Sequence, residues 1–137
     1  MFLNPYQQNY LYASLRSFEK ALRLADQLLV DGDERGILYY QKSHLDPGMR
    51  QSARNKISQA LQELTNFVNQ LGLEPREENS DQMIMAQMSA SWGDLADSQS
   101  DRLKGYGELD MQAAALIDPA VNRLARLAAE LGEFFTK

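Results

Sequence analysis

Six apolar residues, Ala53, Ile57, Leu61, Leu64, Val68 and Leu71, recur at spacings of three and four. A helix turning about 100° per residue collects them on one face. The signals that bracket them are equally specific. Asp46 precedes Pro47, so a carboxylate is placed to accept from free N–H groups just where a residue without an N–H costs nothing. Gly72 follows Leu71, where a left-handed closing residue is wanted. A helix over 47–71 with one greasy stripe cannot stand alone in water, so whatever else the chain does, it must supply or find cover for that stripe.

The rest of the chain repeats the pattern. Asn4-Pro5 starts a first helix, with Gln7 placed to complete a capping box. Leu11, Leu15, Phe18, Leu22, Ala25 and Leu29 form its stripe, and Asp31-Gly32-Asp33 ends it. A third helix begins at Asn79 or Ser80, with Asp81 in its first turn. It is expected to run to about Lys104, with Met85, Met88, Trp92, Leu95 and Leu103 facing inward, before Gly105-Tyr106-Gly107 breaks the chain. In the last helical region Ile117, Val121, Leu124, Ala128, Leu131 and Phe135 alternate by four and three, and Asp118-Pro119 reads either as a restart after a short helical turn, the favoured reading, or as a proline kink in a helix begun near Leu109.

Four matched one-sided helices predict an all-α fold, an antiparallel four-helix bundle forming a single domain over residues 1–137. The connection over 31–46 is long for a bundle. Because it carries Ile37, Leu38, Tyr39 and Tyr40 in succession, it is expected to extend a helix or to pack against the helices as a lid.

Composition narrows the chemistry. The chain has no cysteine, which removes thiol nucleophiles, iron–sulfur clusters and disulfides. Its single histidine, His44, cannot supply the paired Glu-x-x-His motifs of di-metal bundles. No cofactor is expected. The opening residues lack a basic and apolar leader, and no run of about 18 apolar residues occurs, so a cytoplasmic chain with no membrane association is expected.

A formal net charge of -5 argues against a surface devoted to nucleic acid. Arg50, Arg54 and Lys56 could touch phosphate, but no aromatic residues are interleaved with them. The charge is uneven. Five basic residues against Asp46 make 35–56 about +4, and seven acids against Arg76 make 74–101 about -6.

Two chemical readings follow from the acids and the apolar residues. Asp94, Asp97 and Asp101 stand at i, i+3 and i+7, which on a continuous helix shares a face able to hold magnesium through oxygen ligands. Glu74-x-x-Glu77 with Asp94-x-x-Asp97 resembles the paired acidic motifs of MazG-type nucleotide pyrophosphatases. That resemblance implies a magnesium-dependent hydrolase of a nucleotide or phosphate ester, with Asp101 or Glu77 assisting. The opening Asn4-Pro5-Tyr6-Gln7-Gln8 also resembles the start of flagellin export chaperones, which are small helical bundles.

The stronger reading is apolar excess. Met83, Ile84 and Met85 are consecutive, as are Tyr10, Leu11 and Tyr12, and Phe134 with Phe135. Three successive helical residues sweep about 200°, so some must point away from any single core. Tyrosine and methionine suit irregular, partly wet contacts. The expected function is therefore a non-enzymatic interaction module, an adaptor, small subunit or homodimer. Tyr10, Tyr12, Tyr39, Tyr40, Met83 and Met85 are its expected contact residues toward a protein partner or a second copy.

Overall fold

The caps read at Asn4, Asp46 and Gly72 form as written. In the computed structural model, which describes residues 3–31 and 33–136, Asn4 and Gln7 exchange hydrogen bonds. The Gln7 amide donates to Asn4 Oδ1 at 2.8 Å and the Asn4 amide to Gln7 Oε1 at 3.0 Å, and helix α1 (Pro5–Asp31) begins there. Gly32, expected in the stop signal, lies outside the described residues. The Met49 amide donates to Asp46 Oδ1 at 2.8 Å, opening helix α2 (Pro47–Leu71). Gly72 closes it at φ +71°, with its own N–H on the Asn69 carbonyl and that of Leu73 on Val68, which satisfies two otherwise free carbonyls.

The described chain is mostly helical and falls into two units, one ending at Arg76 and the other beginning at Glu77. In the first, α1 and α2 pack antiparallel. Near the joined ends Arg54 Nε donates to Asp26 at 3.0 Å. At the open end Arg76 reaches back past α2, donating to Asn9 Oδ1 at 2.9 Å and lying 4.1 Å over the Tyr12 ring.

The connection between them is not a lid. It is a small antiparallel ladder of β1 (Glu34–Arg35) and β2 (Tyr40–Gln41), paired Glu34 to Gln41 and Arg35 to Tyr40. The Gly36 amide donates to the Tyr39 carbonyl at 2.9 Å, so Ile37 and Leu38 form the tip, 100% and 96% exposed. The physical reason is local: the paired residues are polar or aromatic, Glu34 with Gln41 and Arg35 with Tyr40, so closing the ladder leaves the two aliphatic residues in the turn. Gly36 allows the turn because the Tyr39 ring occupies the space where its Cβ would be, 2.5 Å from Cε1.

The second unit consists of helix α3 (Ser80–Ala96), short helix α4 (Ser100–Leu103), a 3-10 turn (Lys104–Tyr106) and helix α5 (Met111–Glu133). Asn79 caps α3 as expected, accepting from the amides of Asp81 and Gln82. That helix stops at Ala96, short of the expected Lys104. The run Asp97-Ser98-Gln99-Ser100 offers side chains that compete for the backbone, and Ser98 Oγ donates to the Asp94 carbonyl at 2.8 Å. Leu103 accordingly belongs to α4, and Trp92 is half exposed rather than inward.

Asp118 is not a helix start. Helix α5 begins earlier, capped by Asp110, and passes through Pro119 unbroken. The Asp118 carboxylate instead accepts from the Ser100 amide at 2.8 Å and from Ser100 Oγ at 2.7 Å, fixing the first turn of α4. Those two bonds, the nearby Lys104 charge adding to them, hold its carboxyl below the usual aspartate value.

Helices α3 and α5 touch through small residues. Ala125, Ala128 and Gly132 are the buried positions of α5, and a Cβ on Gly132 would meet Met88 Cβ at 3.6 Å. No helix of the described residues is long and apolar enough to cross a membrane.

Candidate protein-interaction surfaces

A helical hairpin buries one stripe of each helix against the other and leaves the flanking apolar positions open. In the first unit those positions include Tyr6, Tyr10, Phe18, Leu24, Leu28 and Val30 on α1. Tyr10 is exposed, at the edge of a shallow concavity lined by Leu3, Asn4, Tyr6, Gln7 and Leu11. Tyr12 is half-buried and its ring face is taken by Arg76. Tyr39 and Tyr40 are exposed on the ladder, with their hydroxyls 3.5 Å from Glu34 and Asp33 respectively, and the Arg35 guanidinium stands 6.0 Å from the Tyr40 ring. The helical rise separates Tyr10 from the end of α1 by about 30 Å. The four tyrosines therefore mark two places on the unit, one at each end of α1.

In the second unit Met83 is exposed while Ile84 and Met85 are half-buried, so Met83 is the member of the triplet left outside. The acids Asp94, Asp97 and Asp101 do not share a helix face. Asp94 is in α3, Asp97 caps its end, and Asp101 lies in α4 after the chain has turned. Asp97 faces Arg102 at 3.7 Å, both well exposed. Among the described residues no group of three or more histidine, cysteine, aspartate or glutamate side chains is close enough to hold a metal ion.

A further open surface is one that periodicity alone misplaces. Leu124 and Leu131 count as inward by their four-three spacing, yet the buried positions of α5 are the small residues Ala125, Ala128 and Gly132, and these two leucines are about half exposed. Leu116, Leu124, Leu127, Leu131 and Phe134 are 75%, 52%, 53%, 48% and 77% exposed. The two stripes differ by one residue, or about 100° of rotation. The signal was present in the sequence: Ala125, Ala128 and Gly132 at i, i+3 and i+7 are a seam suited to close approach of another helix, directly beside a seam of leucines.

No family model, curated protein or solved structure matches the chain.

Proposed function

We propose that the chain is a non-enzymatic helical interaction module, acting as a homodimer, small subunit or adaptor in the cytoplasm, with its 137 residues working as one domain. The observation that carries this reading is the open apolar surface. Among the described residues no large side chain is fully buried, while leucines, tyrosines and phenylalanines on α1, the ladder and α5 stand in solvent. Apolar surface on that scale is either covered by a partner or aggregates. Helices supplied by a partner or a second copy are the natural cover, and antiparallel four-helix packing is the arrangement that hides such stripes around one axis.

The test pairs two measurements. Light scattering behind size exclusion should show association that at least one of Leu38→Glu, Met83→Glu and Leu127→Glu weakens with helicity unchanged, since all three apolar side chains are exposed. Calorimetric titration with magnesium or manganese should give no binding heat. Metal binding abolished by Asp97→Ala, with metal-dependent hydrolysis of a nucleotide, would overturn the reading.

A further inference from the structure

Resting on that reading, we infer that the leucine seam of α5 is the contact of a two-fold homodimer in which α5 lies antiparallel against α5 of a second copy. Three observations on α5 lead there. Its width comes first. Ala120, Leu124, Leu127, Leu131 and Phe134 continue the heptad pattern begun by Ile117, and the positions immediately to one side, Val121, Ala128 and Phe135, turn toward the small-residue face that meets α3. The seam thus lies between the α3 contact and solvent, and its own occupant must be another helix.

Size comes second. At roughly 100 Å² or more of open surface each, the four exposed side chains of the seam, Leu124, Leu127, Leu131 and Phe134, with smaller open parts of Ile117 and Ala120, offer on the order of 500 Å² per copy and about 1,000 Å² across a two-fold, the lower bound for a specific interface. The aliphatic stem of Arg123 adds to this.

Charge decides who the occupant is. On the other side of the seam stand Arg123 and, one heptad later, Glu130, both exposed and, among the described residues, in no ion pair. In an antiparallel pair these flanking positions face their own kind. Setting Leu124 against the partner's Leu127, Ala120 against the partner's Leu131 and Ile117 against the partner's Phe134 brings Arg123 beside the partner's Glu130. The symmetry axis makes that contact twice. A slip of one heptad instead puts Glu130 beside the partner's Glu130. A parallel pairing gives neither charge a partner, since the facing positions are then Ala128 and Phe135. The seam is self-complementary in one register, which is the requirement of an isologous interface. In that register α3 of both copies lies on the same side of the α5 pair, so the two hairpins form four helices around a shared core.

The test uses the full chain and four variants: Arg123→Glu, Glu130→Arg, the two combined, and Leu127→Glu. All three positions are exposed, and circular dichroism checks that helicity is kept. By sedimentation equilibrium at low salt, wild type should have about twice the chain mass. Each charge variant alone brings like charges together and should dissociate at least tenfold more readily. The double variant should regain the dimer, and an equimolar mixture of the single variants should give a heterodimer. Leu127→Glu should be a monomer. A wild-type dimer indifferent to all four variants overturns the α5 contact and leaves the interaction-module reading standing on another surface. A wild-type monomer overturns the homodimer itself. Loss in Leu127→Glu with no response to charge overturns the antiparallel register.

Discussion

Exchanging the sizes of two adjacent residues on α5 separates its two faces. Ala128 is 7% exposed on the side that meets α3, and Leu127 is 53% exposed on the side that does not. Ala128→Leu forces three extra carbons into a seam built of alanine and glycine. Overpacking of this kind costs about 1–3 kcal/mol. For a unit of this size, each kcal/mol lowers Tm by about 4–8 °C. Leu127→Ala removes a side chain that buries only about half of its surface in the isolated chain. Full burial of leucine is worth about 1.5–3 kcal/mol, so the loss is about 1 kcal/mol, partly offset by the better helix propensity of alanine. The assay is thermal unfolding followed by far-UV circular dichroism at a concentration low enough to keep the chain monomeric. Ala128→Leu should melt well below Leu127→Ala under those conditions. At high concentration wild type should gain stability and Leu127→Ala should not, because its loss is then in the contact between copies. Leu127→Ala costing more than Ala128→Leu at low concentration would mean that α5 is turned by about 100° from the orientation described, and the reasoning would fail.

Two further outcomes follow from local geometry. Gly72 sits at φ +71° with open space where a Cβ would go, so Gly72→Ala adds backbone strain without a clash and should lower stability by about 1 kcal/mol in urea unfolding, with Gly72→Asn costing less. The Asp118 carboxyl titrates below its ordinary value in the folded chain, so its ionised form stabilises α4 above the usual aspartate range. That contribution is lost as pH falls through the depressed value. The stability difference between wild type and Asp118→Asn should therefore shrink on acidification, and a constant difference from neutral pH to pH 2 would count against the two Ser100 hydrogen bonds as its cause.

Sequence patterns located the elements better than their surroundings. The start of α1 and both ends of α2 are set by hydrogen bonds within four or five residues, Asn4 with Gln7, Asp46 with Met49, Leu73 with Val68, and such signals can be read one turn at a time. The end of α3 was harder because Asp97 and Asp101 fit the helical period as well as Asp94 does; what stops the helix is competition from Ser98 and the pull of Asp118, eighteen residues further on, upon Ser100. The ladder was illegible for a related reason. Ile37-Leu38-Tyr39-Tyr40 has no period, and an apolar run reads as buried until a turn through Gly36 puts its first two members at an exposed tip. On α5 the period was right and the phase was off by part of a turn: of the expected stripe Ala128 is buried and Ile117, Val121 and Phe135 are half-buried, while Leu124 and Leu131 are exposed. Leucine outweighs alanine on any hydrophobicity scale, so the stripe is drawn through Leu124 and Leu131, whereas close packing against α3 selects Ala125, Ala128 and Gly132. Of the contact residues expected from sequence, Tyr10, Tyr39, Tyr40 and Met83 are open, while Tyr12 and Met85 are half-buried.

The requirement that outside helices cover these stripes is tested most directly by the dependence of unfolding on protein concentration. If a second copy provides the cover, a 100-fold rise in concentration should add about 2.7 kcal/mol to the apparent stability. The urea midpoint should then rise by about 1 M or more. A midpoint that stays fixed over that range would show that the chain folds without a second copy, and would contradict self-association as the means by which its apolar faces are covered.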